Sequence, residues 1–386
     1  MGMAVLLSEK TNTVQRLHVA LELSAATWRV ALSNGNGVRQ VQVKAGDLKE
    51  LASHVEKAKR RFGLPSEAET LSCYEAGRDG FWLHRWLESV GILNVVVEPA
   101  SILVDRRARR AKTDRLDVEA LLRMLIRFAG GERDVWRPVR VPSVEDEDTR
   151  RQSRERERLK DEEVQHRNRI RGLLVLHGIK LPIGRKFRKA LEQVRLWDGG
   201  ALPAGILSEI LRELDRLDFL QAQLKQLGEE HRMRVMAAKK QPTPKAHVAK
   251  IDRLMELRGV GIVSATVLVN EMFGWRTFRN RRQVGSYAGL TGTPYDSGGT
   301  EHEQGISKAG NPRVRTTMTE LAWGWLQWQS SSKLSKDFHA YAGNGSAKTK
   351  KRFRKVGIVA LARKLLIALW HYVEHGILPE GAMRRA

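Results

Sequence analysis

The chain has 386 residues, enough for two or three domains with substantial cores. Lys and Arg number 68 against 44 Asp and Glu, which gives a formal net charge of +24. This excess is larger than solubility requires and indicates a polyanionic partner. We favour nucleic acid over a membrane surface, because the sequence has no long apolar amphipathic face and no lipidation signal. The single cysteine, Cys73, excludes an intramolecular disulfide and a cysteine-rich zinc site. No secretory signal or membrane span is evident, so we expect a soluble intracellular protein.

Residues 1–140 predict an α/β layered domain. Arg16–Ser24 alternates apolar and polar residues, as in a strand with one buried face, and Thr27–Leu32 and Val38–Val43 continue it as a meander. Helices and strands then alternate in this order: Asp47–Phe62, Leu71–Tyr74, a helix through Phe81, Leu83 and Trp86, Ile92–Val97, and a helix starting near Asp114. Such an order is typical of a sheet covered by helices.

Four carboxylates come from separate elements of this domain. Glu22 lies on the polar face of the first strand and Glu75 at the carboxyl end of a later one, where ligands of α/β sheets gather. Asp114 and Asp117 stand three apart at a helix start, so they project from one side. The simpler interpretation makes Asp114 an N-cap with Asp117 three residues on, and Glu75 a solvated strand end.

This order of acids resembles the ribonuclease H/RuvC-like nucleases, in which four carboxylates hold two Mg²⁺ ions. Ligation by carboxylate oxygen alone suits Mg²⁺ or Mn²⁺ rather than zinc. A block of cations directly precedes the two aspartates, as expected of a site where acids hold metal and bases hold phosphate: Arg109, Arg110 and Lys112.

Residues 141–250 predict a helical middle segment. Val141–Glu147 is interpreted as an acidic linker containing proline, followed by the helical run Asp148–Leu176. Ile206–Met236 has leucines three and four apart, which predicts a coiled-coil or helical-hairpin seam. The Arg- and Glu-rich first run is either a solvated helix with internal ion pairs or an arm that dimerises and lies against nucleic acid. Gln241–Lys245 is interpreted as a hinge.

Residues 251–386 open with a helix–hairpin–helix pattern over Leu254–Met272. In this pattern a glycine-rich turn, here Gly259 and Gly261, exposes backbone N–H groups to a DNA phosphate. Helical hairpins with glycine turns also occur without DNA. Further along, Thr316–Trp328 and Val356–Val373 predict helices, and we interpret the tryptophans of the first as core and the tail at 384–385 as disordered.

Ser307 lies in a glycine-rich entry to a helix, among three cations, Lys308, Arg313 and Arg315. A serine in this setting binds phosphate, caps the helix or attacks phosphate. Attack requires activation by a base, a metal or neighbouring positive charge.

Four runs together resemble the insertion sequence 110 family, the bacterial DEDD transposases also described as bridge-RNA-guided recombinases: KTDRLDVEAL, LRGVGIVSATVLVNEM, YAGLTGTPYDSGG and GISKAGNPRVR. The resemblance covers nearly the whole chain. It implies a RuvC-like domain, a coiled-coil segment and a mostly helical C-terminal transposase domain. It places the family's four acids on Glu22, Glu75, Asp114 and Asp117 and its catalytic serine on Ser307. Glu22 departs from the family pattern, which usually has Asp there.

The resemblance implies a Mg²⁺-dependent recombinase that moves its own insertion sequence in the bacterial cytoplasm, on nucleoid DNA. It further implies a homo-oligomer, dimer or tetramer, in which Ser307 forms a covalent link to DNA opposite a partner subunit's acidic site. A structured guide RNA would pair with target and donor DNA, and the positive charge would hold both backbones. Two alternatives stay open: a RuvC-like nuclease in which water attacks and Ser307 only binds phosphate, and a nucleic-acid-binding protein that is inactive through decay at Glu22.

Overall fold

The computed structural model describes residues 15–102, 114–241, 246–297, 300–343 and 347–385, with the side chains at 114–115, 294–304 and 347–352 left out of the description. The chain divides into two units, residues 1–141 and 142–386. The predicted separation of a middle segment from a C-terminal domain at residue 250 stays a prediction.

The first unit is built on a five-stranded sheet of order β3-β2-β1-β4-β5. The strand β2 runs antiparallel to β1 and β3, whereas β4 runs parallel to β1 and β5. The elements are β1 Arg16–Glu22, β2 Thr27–Ser33, β3 Val38–Lys44, α1 Leu48–Arg61, β4 Glu69–Glu75, α2 Trp82–Ser89, β5 Leu93–Val97 and α3 Asp114–Ala129. The predicted α/β sheet domain is therefore confirmed, and its elements follow the predicted order.

Alternation along β1 decides what each face of this sheet packs against. Leu17, Val19 and Leu21 are buried in a core shared with α1 and α2. Ala20 lies on the opposite face, in a core shared with Cys73 of β4 and with the buried side of α3. Because side chains alternate along a strand, Glu22 and Glu75 belong to the face that α3 covers.

The second unit begins with a helical hairpin. The elements are α4 Val144–Val175, α5 Phe187–Glu192 and α6 Ala204–Lys239. The predicted acidic linker at 141–147 is wrong from Val144 onward, because Ser143 and Asp146 cap α4 reciprocally and start the helix there.

The helices α4 and α6 run antiparallel. His166 pairs with Glu213 near one end, while Gln152 Oε1 accepts a hydrogen bond from His231 Nδ1 at 3.0 Å near the other. The leucine seam of α6 is buried inside this hairpin, with Ile210, Leu214 and Leu217 packed in the core around Ile170. The seam is thus used within one chain, and a coiled coil between chains stays a prediction.

The rest of the second unit is mostly helical. Its elements are α7 Ala246–Met255, α8 Ile262–Leu268, a π-helical segment Val269–Phe273, α9 Arg281–Tyr287, β6 Gly292–Ser297, β7 Thr300–Ile306, α10 Pro312–Trp328, α11 Lys333–Gly343 and α12 Ala347–His375. The hairpin β6–β7 and the helix α11 were not predicted. The helix α10 starts at Pro312 and carries Arg313 and Arg315, directly after the glycine-rich entry, because Asn311 caps it and Pro312 occupies its first position.

The helix α12 forms the centre of the second core. Its segment Phe353–His375 is long and apolar enough to cross a membrane, but Leu361, Leu365 and Leu369 are buried among residues of α10 and α11. We interpret it as a core helix. The predicted disorder of the tail is wrong, because the backbone N–H of Arg385 donates to Glu256 O at 2.7 Å.

Candidate active site

An open cleft lies at the carboxyl ends of β1 and β4, lined by Glu22, Ser24, Tyr74, Glu75, Arg78 and Asp79 among others. The parallel register pairs Leu21 with Tyr74, so the next residue on each strand is a glutamate. Glu22 and Glu75 are both half-buried. The fold therefore brings two of the four predicted acids to one cleft.

The other two predicted acids lie at the start of α3, on the same face of the sheet. Asp114 is the first residue of the helix, and Asp117 is half-buried directly before the buried Val118. The side chain of Asp114, and with it the N-cap interpretation, lies outside the described part of the chain. The predicted phosphate-binding residues Arg109, Arg110 and Lys112 also lie outside it.

Carboxylate oxygens of this kind fit a hard divalent cation such as Mg²⁺. Within the described ranges, no group of three or more His, Cys, Asp or Glu side chains is close enough to hold a metal ion. Sequence reasoning missed Asp79, which lines the cleft with Glu22 and Glu75 and lies 3.8 Å from the Arg78 guanidinium. Its only signal was its place four residues after the end of β4.

In the second unit, Ser307 is exposed directly after β7. Its backbone N–H donates to Thr291 O at 2.8 Å, and that of Lys308 donates to Gly289 O at 3.1 Å. Asn311 N–H donates to Tyr287 O at 2.7 Å. These bonds fasten residues 305–311, termed the serine loop, along residues 287–291.

The backbone of the serine loop takes conformations that favour glycine. Lys308 has a φ of 55° and is the one non-glycine residue with positive φ among those the structure describes. At Gly310, with φ of 154°, a Cβ atom would lie 2.5 Å from Tyr287 O and 2.6 Å from Gly289 N. Left-handed non-glycine residues cluster at functional sites, where the surroundings over-determine the backbone.

The three cations predicted around Ser307 have different partners. Arg315 Nη1 donates to the carbonyl oxygens of Ala288 at 3.1 Å and Lys308 at 3.0 Å, so it braces the loop from beneath. Arg313 pairs with Glu157 of α4. Lys308 is exposed beside the serine. Lys308 is therefore the cation best placed to meet a phosphate, and the bracing role of Arg315 was not predicted.

A buried carboxylate behind the loop was also missed. The side chain of Glu271 is 2% exposed and accepts bonds from Arg154 Nε at 2.9 Å and Nη2 at 3.1 Å. It also accepts from Asn311 Nδ2 at 3.0 Å, while its backbone oxygen accepts from the Tyr287 hydroxyl at 2.6 Å. One side chain thus joins α4, the π-helical segment and the cap of α10. Such π-helical turns often mark functional sites.

The electrostatics of Glu271 follow from these partners. Burial raises the pKa of its carboxyl, but hydrogen bonds from Arg154 and Asn311, together with the charges of Arg154 and Arg313, hold that pKa below its ordinary value. The group is therefore an anion that two flanking arginines stabilise.

The glycine turn of the helix–hairpin–helix pattern lies between α7 and α8. Gly259 has a φ of 88°, and a Cβ there would lie 2.9 Å from Cβ of Trp328, so packing alone requires glycine. Gly261 precedes α8 without a side-chain cap and with open space around it. Arg385 Nη2 donates to Val260 O at 2.7 Å. Contact of this turn with a DNA phosphate stays a prediction.

Comparison with known proteins gives the family. Residues 251–340 match the family described as Transposase IS116/IS110/IS902 family. The chain is 43% identical over 381 residues to "Putative transposase y4rJ" of Sinorhizobium fredii, covering 96% of this chain and 94% of that protein. It is 23% identical over 363 residues to "Transposase for insertion sequence element IS1533" of Leptospira borgpetersenii, covering 92% and 95%. The chain therefore belongs to the IS110 family of transposases.

Proposed function

We propose that this transposase cuts and rejoins DNA at its insertion sequence through a covalent link to Ser307. The observation that carries the proposal is the serine loop, which presents an exposed serine and an exposed Lys308 on a backbone fixed from behind. Fixing a reacting group in advance lowers the entropic cost of the transition state.

The reaction balances without an external energy source. The Ser307 oxygen attacks the scissile phosphorus and loses its proton, while the bond to one DNA ester oxygen breaks and that oxygen takes up a proton. The resulting phosphoserine diester keeps the energy of the original diester. A hydroxyl group of another strand then attacks the phosphorus, and the serine leaves with its proton restored. The ammonium group of Lys308 offsets negative charge that develops on the phosphate.

The acidic cleft is the proposed metal site. Glu22, Glu75, Asp114 and Asp117 would hold Mg²⁺, or Mn²⁺, on the face of the sheet that α3 covers. A bound divalent cation would supply charge neutralisation at the ester oxygens. Three meander strands followed by two parallel strands, in the order β3-β2-β1-β4-β5, support a RuvC-like assignment of this unit.

The guide RNA and the oligomer belong to the same proposal. A net charge of +24 supports binding of nucleic-acid backbones, which in this proposal are those of the guide RNA and of DNA. Completion of the site by two subunits is part of this proposal and comes from the family resemblance.

The proposal is tested with purified protein, RNA transcribed from the flanks of the element, end-labelled junction DNA and Mg²⁺. The reaction is quenched in detergent and run on a denaturing gel with and without protease. We expect a retarded band that protease removes, present in wild type and in Ser330→Ala, an exposed control serine at the end of α10. Ser307→Ala and Asp114→Ala should each lack it. Cleavage without an adduct that survives Ser307→Ala would instead establish the RuvC-like nuclease.

Mixing variants tests the shared site. If the serine and the acids come from different subunits, Ser307→Ala and Asp114→Ala proteins should restore part of the activity when combined. Failure of the mixture, with each variant still assembling with wild type, would place a complete site in one chain.

A further inference from the structure

The tryptophans of α10 do not share one environment. Trp325 is buried, with its Nε1 donating to Ser332 Oγ at 2.9 Å, as the core interpretation expects. Trp323 is 44% exposed and Trp328 49%, so that interpretation is wrong for both. An exposed indole is a candidate contact for a partner, because tryptophan carries a large apolar area and is enriched at interfaces.

Trp323 forms one wall of a groove between α10, α11 and α12. The groove, termed the Trp323 groove, is lined by Trp323, Leu326, Gln327, Phe338, His339 and Arg354 among others. Phe338 is 6% exposed and meets the indole edge-on, with ring centroids 6.5 Å apart. Phe338 is thus the floor of the groove and fixes the Trp323 ring, leaving the indole accessible from the groove.

The groove has its shape because α11 and α12 approach closely at a glycine. A Cβ at Gly357 would lie 3.1 Å from the Phe338 ring and 3.2 Å from Tyr341. This contact holds the Phe338 ring against the first turns of α12. Those same turns bring Arg354 to the opening of the groove.

Polar and charged groups surround the aromatic wall. The Arg354 guanidinium lies 5.9 Å from the centroid of the Trp323 ring, and Gln327 and His339 are exposed at the rim. Arg354 and Lys355 of α12 are exposed, as are Lys333 and Lys336 of α11, against two exposed acids on α10 and α11, Glu320 and Asp337. The described side chains of this region are therefore more basic than acidic and suit an anionic partner with a flat apolar part.

An unpaired nucleotide has that chemistry. Its base offers a flat face for stacking on an aromatic ring, and its phosphate offers a negative charge for an arginine. A base inside a duplex has both faces covered by its neighbours, so it cannot occupy the groove. A purely anionic ligand would leave the indole uncovered, and an apolar peptide would leave the cations without partners.

We propose that the Trp323 groove binds one unpaired nucleobase, stacked on Trp323, with Arg354 neutralising the adjoining phosphate. The proposal rests on the nucleic-acid partner of the proposed function but on neither Ser307 nor the acidic cleft. The base could come from single-stranded RNA or from a DNA strand opened during recombination, and the experiment separates these sources.

The test measures binding of short oligonucleotides by fluorescence anisotropy across a salt series. Three probes of equal length and charge are used: oligo-dT, oligo-U and an abasic DNA strand. Trp323→Ala should weaken binding of at least one base-containing probe about tenfold, on the scale of one stacked base. It should leave the abasic probe and the salt slope unchanged, because stacking releases no counterions. Preference for oligo-U or oligo-dT identifies the source.

Three further variants make the result specific. Trp197→Ala removes a tryptophan that is 93% exposed elsewhere in the second unit and should bind all probes as wild type does. Arg354→Gln should weaken all three probes and reduce the magnitude of the salt slope by about 0.7, the value for one contact to a single-stranded phosphate. Trp323→Phe keeps an aromatic face and should lose less than Trp323→Ala. Unchanged affinity in Trp323→Ala, or equal loss on the abasic probe, overturns the proposal.

A second measurement does not depend on a variant that folds. Wild-type protein is photocrosslinked to an oligonucleotide carrying 5-iodouracil, and the crosslinked peptide is identified by mass spectrometry. We expect crosslinks on the peptide containing Trp323. Crosslinks confined to other regions would contradict the groove assignment. Ser307→Ala should crosslink like wild type, so failure of the recombination assay and failure of the groove are distinguishable.

Discussion

The acidic cleft and the serine loop differ in how much of their geometry the protein fixes in advance. The cleft gathers Glu22 and Glu75 from two strands, on the face of the sheet that α3 covers. The serine loop is held by three backbone hydrogen bonds, by Arg315 from beneath and by the Glu271 network from behind.

Electrostatics explains this difference. Carboxylates that lie close together repel one another, so acids that are to share a cation are not packed into a closed cluster by protein contacts alone. The serine loop differs, because three of its backbone N–H groups and Arg315 are bonded within the protein while Lys308 stays exposed. In the proposed mechanism the metal site is completed by its ligand, whereas the backbone of the serine loop is fixed beforehand.

The largest expected effect comes from removing the proposed nucleophile, Ser307. Ser307→Ala should reduce strand transfer by about 10⁴-fold or more, because the loss of a nucleophile is compensated by no neighbouring group. The measurement is single-turnover product formation, with Ser330→Ala as the control. A loss below about tenfold would show that Ser307 binds phosphate without attacking it.

The proposed metal site is tested at Asp117, the predicted aspartate of α3 whose side chain the structure describes. Asp117→Asn removes a negative charge with little change in shape and should raise the Mg²⁺ concentration for half-maximal activity about 10–100-fold, the scale seen when groups around a metal are altered. Glu119→Gln, two residues along α3, is the control. Equal Mg²⁺ requirements for both variants would remove Asp117 from the site.

The fixed geometry of the serine loop depends on Glu271. Glu271→Gln removes the ion pair with Arg154 while keeping one amide oxygen for Asn311, and should lower activity about 10–100-fold through displacement of the loop. Glu229→Gln is the control, since Glu229 is 68% exposed and pairs with Lys225 at 4.0 Å. To separate positioning from stability, activity is measured well below the melting temperature of each variant.

The pH dependence of stability tests independently whether the Glu271 carboxylate stabilises the fold. Because its folded-state pKa lies below the ordinary value of 4.5, its contribution is complete above that value and is lost as the pH falls through the folded-state pKa. The melting temperature should therefore fall less steeply between pH 7 and pH 3 in Glu271→Gln than in wild type. Parallel curves would show that the network does not stabilise the fold.

The backbone of the loop is tested by adding one carbon atom. Gly310→Ala puts a Cβ atom 2.5 Å from Tyr287 O and should destabilise the second unit by about 1–3 kcal/mol, the usual scale of local backbone strain. Gly292→Ala, at the start of β6 and with open space around it, should cost less. Chemical denaturation measures both.

The smallest effect is expected at Glu22, the departure from the family pattern. Glu22→Asp shortens one carboxylate by a methylene group in an open cleft, and we expect less than about a tenfold change in activity if the site is adapted to Glu. A large gain would instead indicate that the site has decayed. The same strand-transfer assay decides.

The strands and helices of the sheet domain could be predicted because each is indicated by the hydrophobic pattern of adjacent residues. The alternation through Leu17, Val19 and Leu21 fixed which face is buried, and so placed Glu22 opposite. The helix start at Asp114 followed from the run of apolar residues behind it.

Other features depend on residues far apart in the chain. Glu271 receives Arg154 from 117 positions away and Asn311 from 40, and no spacing rule connects them. The exposure of Trp323 depends on where α11 and α12 pack, so a tryptophan in an apolar helix was assigned to the core. Arg315 was predicted to bind phosphate because it is a cation near Ser307, but its Nη1 donates to two backbone carbonyl oxygens instead.

The helix α4 has a mechanical consequence. Three of its residues are tied to the region behind the serine: Thr149 O accepts from Asn270 at 2.7 Å, Arg154 holds Glu271, and Glu157 holds Arg313. All three lie in the first half of α4, and the helix runs on for about 27 Å beyond Glu157, at about 1.5 Å per residue. The far end of the hairpin is therefore joined to the region behind Ser307 through one continuous helix. If the proposed oligomer docks at that far end, we expect the load to reach the serine loop through these three contacts.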